Sequence, residues 1–305
     1  MSDAAQIERA LEGHKRSLAR LISICETERP EASFRREAIL DVLRKRPNRA
    51  TIIGITGTPG AGKSSLIARI GERLLKETNL RVAMVAVDPA SPISGGALLG
   101  DRTRVRLPSS SRFFFRSQSA STSLGGLGVR TFDVCRLLEC LFDLVIVETV
   151  GIGQSETEVR DLASRVYLVV QPLAGDQVQF MKAGVMEIPD VIVVNKCDAE
   201  REARRSVAQL RSSLRLLRAG GEPPGLIATS AQTGRGVDTL VEDIKGAVRS
   251  GGCEAAETAF FERWVLSEFG KLGLAYLRAT PTTLSEAASF DQAKREFGAK
   301  LINSL

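Results

Sequence analysis

The sequence has few of the residues that build metal centres and disulfide frameworks. His14 is the only histidine in 305 residues, and the five cysteines form no Cys-x-x-Cys pair. These absences argue against a dedicated transition-metal site and against a disulfide scaffold. They predict reduced thiols in a cytoplasmic protein, and a solvated helix position for His14.

Long apolar runs are also missing. No stretch of eighteen apolar residues occurs, and the N-terminus lacks the apolar segment of a secretory signal, so neither a membrane span nor a signal peptide is expected. The net charge is +6, but the basic residues are spread along the chain with acidic residues among them, and no aromatic-flanked basic cluster is present. We therefore expect no membrane and no nucleic acid among the partners.

The composition, with 43% hydrophobic and 26% charged residues, is that of a globular chain with a sizeable core. Residues 1–50 form an N-terminal segment with apolar residues near helical spacing. Residues 51–250 form an α/β domain, and residues 251–305 form a C-terminal helical segment. The apolar N-terminal positions are Ile7, Leu11, Leu18, Leu21 and Ile22.

The central segment alternates β-branched runs with helix-length stretches. Nearly continuous apolar strands of this kind predict a mostly parallel sheet covered by helices on both faces. Right-handed crossovers place the carboxyl ends of all strands on one rim. The predicted strands are TIIGIT (51–56), VAMVAV (82–87), LVIVE (144–148), VYLVV (166–170), VIVVN (191–195) and LIATS (226–230).

Two helices are predicted in the C-terminal segment, each with an apolar stripe. The stripes either pack back on the domain or form an oligomer contact, and periodicity does not decide between them. The first stripe is Phe261, Trp264, Val265, Phe269 and Leu272, and the second is Leu284, Ala288, Phe297 and Leu301.

A phosphate-binding loop of the P-loop type follows the first strand. GTPGAGKS (57–64) fits G-x-x-x-x-G-K-[ST] and opens an amphipathic helix, which is the context that this motif requires. Lys63 is expected to bridge the β- and γ-phosphates, and Ser64 to offer its hydroxyl to Mg²⁺. The loop residues expected to bind nucleotide are Gly57, Thr58, Pro59, Gly60, Ala61, Gly62, Lys63, Ser64 and Ser65.

NKCD (195–198) ends a later strand and is typical of a guanine-reading loop. Asp198 can accept hydrogen bonds from guanine N1 and N2, whereas adenine would leave a buried carboxylate unpaired. Asn195 and the stem of Lys196 would brace the loop and cover the base. Ser230 and Ala231 resemble the second guanine loop, in which a backbone N–H meets the O6 carbonyl. The nucleotide is therefore expected to be GTP or GDP.

Three carboxylates are predicted at the phosphate rim. Asp88 and Glu148 end core strands, and Asp101 lies in GGALLGDRTRV. So much negative charge in one place favours a cation, and oxygen ligands suit Mg²⁺. The candidate metal ligands are Ser64, Asp88, Asp101 and Glu148, with an N-cap or an ion pair as the alternative for each carboxylate.

The loop after Glu148 contains Gly151, which could approach the γ-phosphate closely. Gln154 either orients water or holds a switch segment or a partner protein. Glu156 is expected to face a partner protein. Arg102, Arg104 and Arg116 either supply phosphate charge or are solvated. The candidate catalytic residues are Lys63, Glu148, Gln154 and Asp101.

Together, six segments in one order resemble the MeaB family, also called ArgK and, in animals, MMAA. They are GITGTPGAGKSS, VAVDPASPISGGALLGDRTRV, LGGLGVRT, VETVGIGQSE, AGDQVQFMKAG and NKCD. The resemblance covers residues 50 to 245. It implies a homodimeric GTPase of the SIMIBI class with Mg²⁺ and low intrinsic hydrolysis. Such a GTPase is a chaperone that gates cofactor loading of an adenosylcobalamin-dependent acyl-CoA mutase and protects or reactivates it. Methylmalonyl-CoA mutase or a related isomerase is the implied partner, with a cobalamin adenosyltransferase engaged through the mutase.

The resemblance also assigns switch loops. It places switch II at residues 148–159, switch I in GDRTR and a third switch at 174–184, where Lys182 could pair with Glu148 or Asp88. It places a dimerisation arm in the C-terminal helices. Departures from the family pattern at Ile93, Ser94 and Gln171, and in RFFFRSQSASTSLGGLG, leave the identity of the mutase open.

Two other functions share this architecture. A kinase of small molecules or proteins would normally prefer ATP, which NKCD argues against. A nickel-delivery GTPase would carry His and Cys ligands, and this chain has one histidine.

Overall fold

The structure, a computed structural model, describes residues 2–27, 29–45, 49–88, 107–119, 127, 129–149, 155–172, 188–217, 223–250, 255–280 and 290–304. The described strands are β1 Thr51–Gly57, β2 Val82–Asp88, β3 Phe113–Ser119, β4 Leu144–Glu148, β5 Arg165–Val170, β6 Val191–Val194 and β7 Gly225–Ala228. The described helices are α1 Asp3–Leu11, α2 Lys15–Glu26, α3 Pro30–Arg44, α4 Lys63–Glu77, α5 Val129–Glu139, α6 Ser155–Leu162, α7 Glu200–Leu217, α8 Val237–Ser250, α9 Ala255–Ala279 and α10 Phe290–Ser304.

The strands form one parallel sheet in the order β3-β2-β4-β1-β5-β6-β7. Successive residues of a strand enter opposite cores, as the period of two requires. On β2, Met84 packs on the side of α4 and α8, whereas Val85 packs on the side of α5 and the terminal helices. The predicted α/β class, with helices on both faces of a parallel sheet, is confirmed.

Six of the seven strands were predicted, and β3 was missed. Its sequence FFFRSQS begins apolar but continues with Arg116, Ser117 and Gln118. β3 lies at one edge of the described sheet and is less enclosed than the central strands, so its second half can be polar. The last two predicted strands are also shorter than expected, since β6 ends at Val194 and β7 at Ala228.

The helices before and after the central segment share one core with it. Leu21 and Ile22 of α2, Val145 of β4 and Phe297 of α10 belong to the same buried cluster. The boundaries at residues 50 and 250 are drawn from the sequence, and described residues on both sides of each boundary contribute to this one core. No helix in the described ranges is both long and apolar enough to cross a membrane.

The C-terminal apolar stripes pack in part back on the domain, which was the first of the two alternatives. Phe261 and Val265 of α9 are buried with Phe297 and Leu301 of α10, and the rings of Phe261 and Phe297 meet edge to face at 5.8 Å. Leu272 contradicts the stripe, since it is 61% exposed. Leu284 and Ala288 lie outside the described residues.

The reason for the exposure of Leu272 is a break in α9 at Gly270. Its φ of 62° and ψ of −157° are not helical, so the residues after it leave the helical register of Phe261 and Val265. The predicted stripe required one continuous helix, and the prediction is wrong beyond this glycine.

His14 is not a solvated helix residue. It is half-buried and is the N-cap of α2, where its Nδ1 lies 3.3 Å from the Ser17 backbone nitrogen. Arg9 of α1 donates to His14 Nε2 at 3.0 Å, so the ring joins the first two helices. The described cysteines are free thiols and all are buried, namely Cys25, Cys135, Cys140 and Cys197.

Candidate functional site

The phosphate loop requires glycine at two points. Gly57 has φ 140°, and a Cβ built on it would lie 2.0 Å from the Val169 carbonyl oxygen. Gly62 has φ 85°, and a Cβ there would lie 2.7 Å from Asn195 Nδ2. Both backbone conformations are unfavourable for residues with a side chain. The loop is thus held close against β5 and the NKCD loop, and α4 begins directly after it.

Lys63, at the start of α4, is 8% exposed. Its Nζ donates to the carbonyl oxygens of Gly57 at 2.8 Å and Thr58 at 3.2 Å. The ammonium is therefore folded over the loop whose backbone N–H groups converge at the helix N-terminus. The partial positive charge of that terminus and the ammonium together favour an anion such as a phosphate.

Asn195 connects three separate loops through one side chain. It is 1% exposed, and its Nδ2 donates to the Ala61 carbonyl of the phosphate loop at 2.8 Å. Its Oδ1 accepts from Thr229 Oγ1 at 3.2 Å and from the Ala231 backbone N–H at 3.1 Å. The two predicted guanine loops and the phosphate loop are thus joined by the protein's own hydrogen bonds.

Lys196 and Asp198 of NKCD line an open cavity of about 500 Å³. Asp198 is exposed at this cavity and accepts a hydrogen bond from Ser230 Oγ. Lys196 has a left-handed φ of 60°, rare for a residue with a side chain, and its Nζ donates to Gln171 Oε1 at 3.1 Å. The predicted nucleotide-binding residues that line the cavity are Gly62, Ser65, Asn195, Lys196, Asp198 and Ala231.

Cys197 lies between Lys196 and Asp198 but does not face the cavity. It is 2% exposed, and its Sγ lies 3.1 Å from the Val194 carbonyl oxygen. Burial raises the pKa of the Cys197 thiol above its usual range, so the group stays protonated and unreactive. Its part in the loop is packing.

Sequence reasoning missed Arg69, which lies on α4 at the edge of the cavity. Its Nε donates to the Ala231 carbonyl oxygen at 3.0 Å and thereby ties the second base loop to α4. The two residues are 162 positions apart, and nothing in the local pattern connects them. Gln171, which is expected from the sequence to depart from the family pattern, contacts Lys196, and this contact gives the position a structural role.

At the other end of the site, two carboxylates lie at the carboxyl ends of neighbouring strands. Glu148 is 8% exposed, and its Oε1 accepts from Ser64 Oγ at 2.7 Å. Asp88, half-buried at the end of β2, accepts from Ser117 Oγ at 2.6 Å. The β2–β4 register pairs Ala86 with Glu148, so both carboxylates stand on the same rim as the phosphate loop.

These donors fit Mg²⁺ in kind. All are oxygens, as a hard cation prefers, and one of them is the hydroxyl that follows the P-loop lysine. Within the described ranges, no group of three or more His, Cys, Asp or Glu side chains is arranged to hold a metal. Mg²⁺ usually takes one or two carboxylates and completes its shell with waters and phosphate oxygens.

Arg116 has neither of the two roles considered for it. Its guanidinium pairs with Glu26, the last residue of α2, with Nε donating at 2.9 Å.

Several predicted residues of the phosphate rim lie outside the described residues, namely Asp101, Arg102, Arg104, Gly151, Gln154 and Lys182. The backbone of Glu156 lies in α6, and the role of its side chain stays a prediction.

Comparison with known proteins agrees with this geometry. The family described as "Methylmalonyl Co-A mutase-associated GTPase MeaB" matches residues 18–291. A putative GTPase of Pyrococcus horikoshii is 42% identical over 249 residues, covering 78% of this chain and 75% of its own. GTPase ArgK of Escherichia coli is 36% identical over 258 residues, covering 82% and 78%. A crystal structure named LAO/AO transport system kinase superposes with a TM-score of 0.66 at 25% identity, covering 98% and 97%.

Proposed function

The chain belongs to the MeaB family of GTPases and is a P-loop GTPase, and we propose that its GTP cycle with Mg²⁺ controls an adenosylcobalamin-dependent acyl-CoA mutase. On this proposal, it gates loading of the mutase cofactor and protects or reactivates the mutase. Asn195 supports the nucleotide-binding part of the proposal, since its hydrogen bonds to Ala61, Thr229 and Ala231 assemble a base pocket beside the phosphate loop.

Guanine selection is assigned to Asp198. Its carboxylate faces the cavity and is oriented by Ser230 Oγ, which leaves acceptor capacity for N1–H and the N2 amino group. Lys196 covers one face of the base, and its ammonium is held by a hydrogen bond to Gln171. A purine without those two donors leaves these acceptor positions of the carboxylate unfilled in the pocket, and that difference selects GTP over ATP.

The phosphates are assigned to residues 57–65. Lys63 exchanges its bonds to the Gly57 and Thr58 carbonyls for the β- and γ-phosphate oxygens. Ser64, which donates to Glu148, would hold Mg²⁺ together with Asp88 and Glu148, directly or through water. When bound, Mg²⁺ neutralises phosphate charge as it develops during hydrolysis. Asp101 keeps its predicted place among the metal and catalytic residues, and Gly151 its predicted place at the γ-phosphate. Gln154 keeps both of its alternatives, orienting water or holding a switch segment or a partner.

The partner part of the proposal rests on the family description. GTP and GDP stabilise different switch conformations, and the mutase binds one of them better, which is a population shift. The same proposal includes a homodimer, a cytoplasmic location, methylmalonyl-CoA mutase or a related isomerase as partner, and a cobalamin adenosyltransferase engaged through the mutase.

The decisive test mixes the full chain with the mutase from the same source, in GDP or in a non-hydrolysable GTP analogue. We expect both complex affinity and adenosylcobalamin loading to differ between the two nucleotides. Asp198→Asn provides a matched control, because its nucleotide dependence should move from guanosine to xanthosine nucleotides. If complex affinity and adenosylcobalamin loading are the same with both nucleotides, the chaperone role is refuted and the GTPase assignment is unaffected. Transfer of the γ-phosphate to a protein or metabolite instead of water would favour a kinase.

A further inference from the structure

The edge strand β3 places Ser117 beside Asp88, one of the proposed Mg²⁺ ligands at the phosphate rim. β3 pairs with β2 over seven residues, with Ala86 opposite Ser117 and Asp88 opposite Ser119. Ser117 is thus two residues short of the end of the strand, and its hydroxyl reaches the Asp88 carboxylate. Neither the P-loop motif nor the base-reading motif includes this position.

The contact between Ser117 and Asp88 is that of a charge-assisted hydrogen bond. The Oγ to Oδ2 distance is 2.6 Å, within the range of O–H to carboxylate bonds. A hydroxyl has a single proton, so donation to Asp88 fixes the orientation of both groups. A carboxylate oxygen has two lone pairs, so Asp88 can accept this bond and still face a cation or a metal-bound water.

β3 is itself held in place from its other face. Arg116 and Gln118, the neighbours of Ser117, point away from it, and both donate to Glu26. The Gln118 Nε2 to Glu26 Oε1 distance is 3.0 Å. The strand that presents Ser117 is therefore fixed by α2 on one side and by the backbone ladder of β2 on the other.

We propose that Ser117 is a positioning residue for the magnesium site, holding the Asp88 carboxylate in the orientation that serves the metal. The inference rests on the proposed Mg²⁺–GTP site and extends it by one residue that does not itself touch the metal. Groups that orient a metal-binding carboxylate typically change metal affinity about 10- to 100-fold when removed. The alternative, a bond that only stabilises β3, makes a different prediction, because the seven-residue ladder remains without it.

The experiment measures release of a fluorescent GDP analogue from the full chain across buffered Mg²⁺ concentrations and in EDTA. In Ser117→Ala, we expect the Mg²⁺ midpoint for slow release to rise by about tenfold or more. Release in EDTA should match the wild type, because the metal does not contribute there. Ser117→Thr keeps the hydroxyl and should restore the wild-type midpoint. Ser119→Ala removes an exposed hydroxyl from the same strand and is the matched control.

Asp88→Asn tests whether the effect passes through Asp88. It should raise the midpoint by itself, and Ser117→Ala should add nothing to it. The proposal is overturned if Ser117→Ala keeps the midpoint of Ser119→Ala, or if it speeds release equally in EDTA. It is also overturned if Asp88→Asn leaves the midpoint unchanged. Each of these results leaves the mutase experiment unaffected, so failure here is distinct from failure of the chaperone role.

Discussion

The two ends of the nucleotide site differ in the hydrogen bonds that the protein makes there. At the base end, Asn195, Ser230, Arg69 and Gln171 make bonds between loops, and these bonds leave the cavity open. At the phosphate end, the groups expected to meet ligand bond to one another, as Ser64 does to Glu148. The base pocket is therefore assembled by the protein's own hydrogen bonds, whereas on the proposed function the phosphate end would have to exchange hydrogen bonds to bind Mg²⁺–GTP. Such an exchange is what a switch needs.

The largest effect is expected from Asn195→Ala. It removes this partner from the buried Thr229 Oγ1 and Ala61 carbonyl and from the half-buried Ala231 N–H. We expect the unliganded protein to lose about 3 kcal/mol of unfolding free energy, in addition to its guanine nucleotide binding. Denaturant unfolding measures the loss, with exposed Asn303→Ala as the control. A loss under about 1 kcal/mol would contradict a base end assembled by the protein's own hydrogen bonds.

Asp198→Asn should act on binding and not on folding. Asp198 is exposed, so unfolding free energy should change by less than about 0.5 kcal/mol. GTP affinity should fall about 100-fold, since two hydrogen bonds to a charged group are lost or reversed. Competition binding with GTP and xanthosine triphosphate measures the change. Unchanged GTP affinity would sink the base-reading role of this residue.

Ser64→Ala tests the phosphate end. The Mg²⁺ concentration needed to retain nucleotide should rise about tenfold, while unfolding free energy should fall by only about 1 kcal/mol for the lost bond to Glu148. Magnesium titration of nucleotide release and denaturant unfolding give the two values. A stability loss as large as that of Asn195→Ala would remove the distinction between the two ends.

Gln171→Ala should have the smallest effect. Its bond to Lys196 is exposed, and we expect nucleotide release to quicken about twofold in stopped-flow measurements. Gln171→Glu keeps an acceptor for the Lys196 ammonium and should release nucleotide no faster than wild type. If both variants release nucleotide at the same rate, the position of Lys196 over the base does not depend on its contact with Gln171.

The parts of this site that follow from short motifs and strand ends were predictable from the sequence. GTPGAGKS and NKCD stand at the ends of β1 and β6, and parallel topology brings them to one rim. The bonds that join loops were not predictable, because Arg69 and Ala231, or Ser117 and Asp88, are neighbours only after the sheet forms. β3 was missed because period and hydrophobicity identify central strands better than edge strands.

The Glu26 contact to Arg116 and Gln118 also bears on how the protein can be divided for experiments. A fragment that begins at the first strand keeps every nucleotide motif but lacks the carboxylate that holds β3. It also exposes the apolar surface that α2 covers with Leu21 and Ile22. Shortened chains for kinetic or crystallographic work on the nucleotide cycle should therefore retain the first two helices.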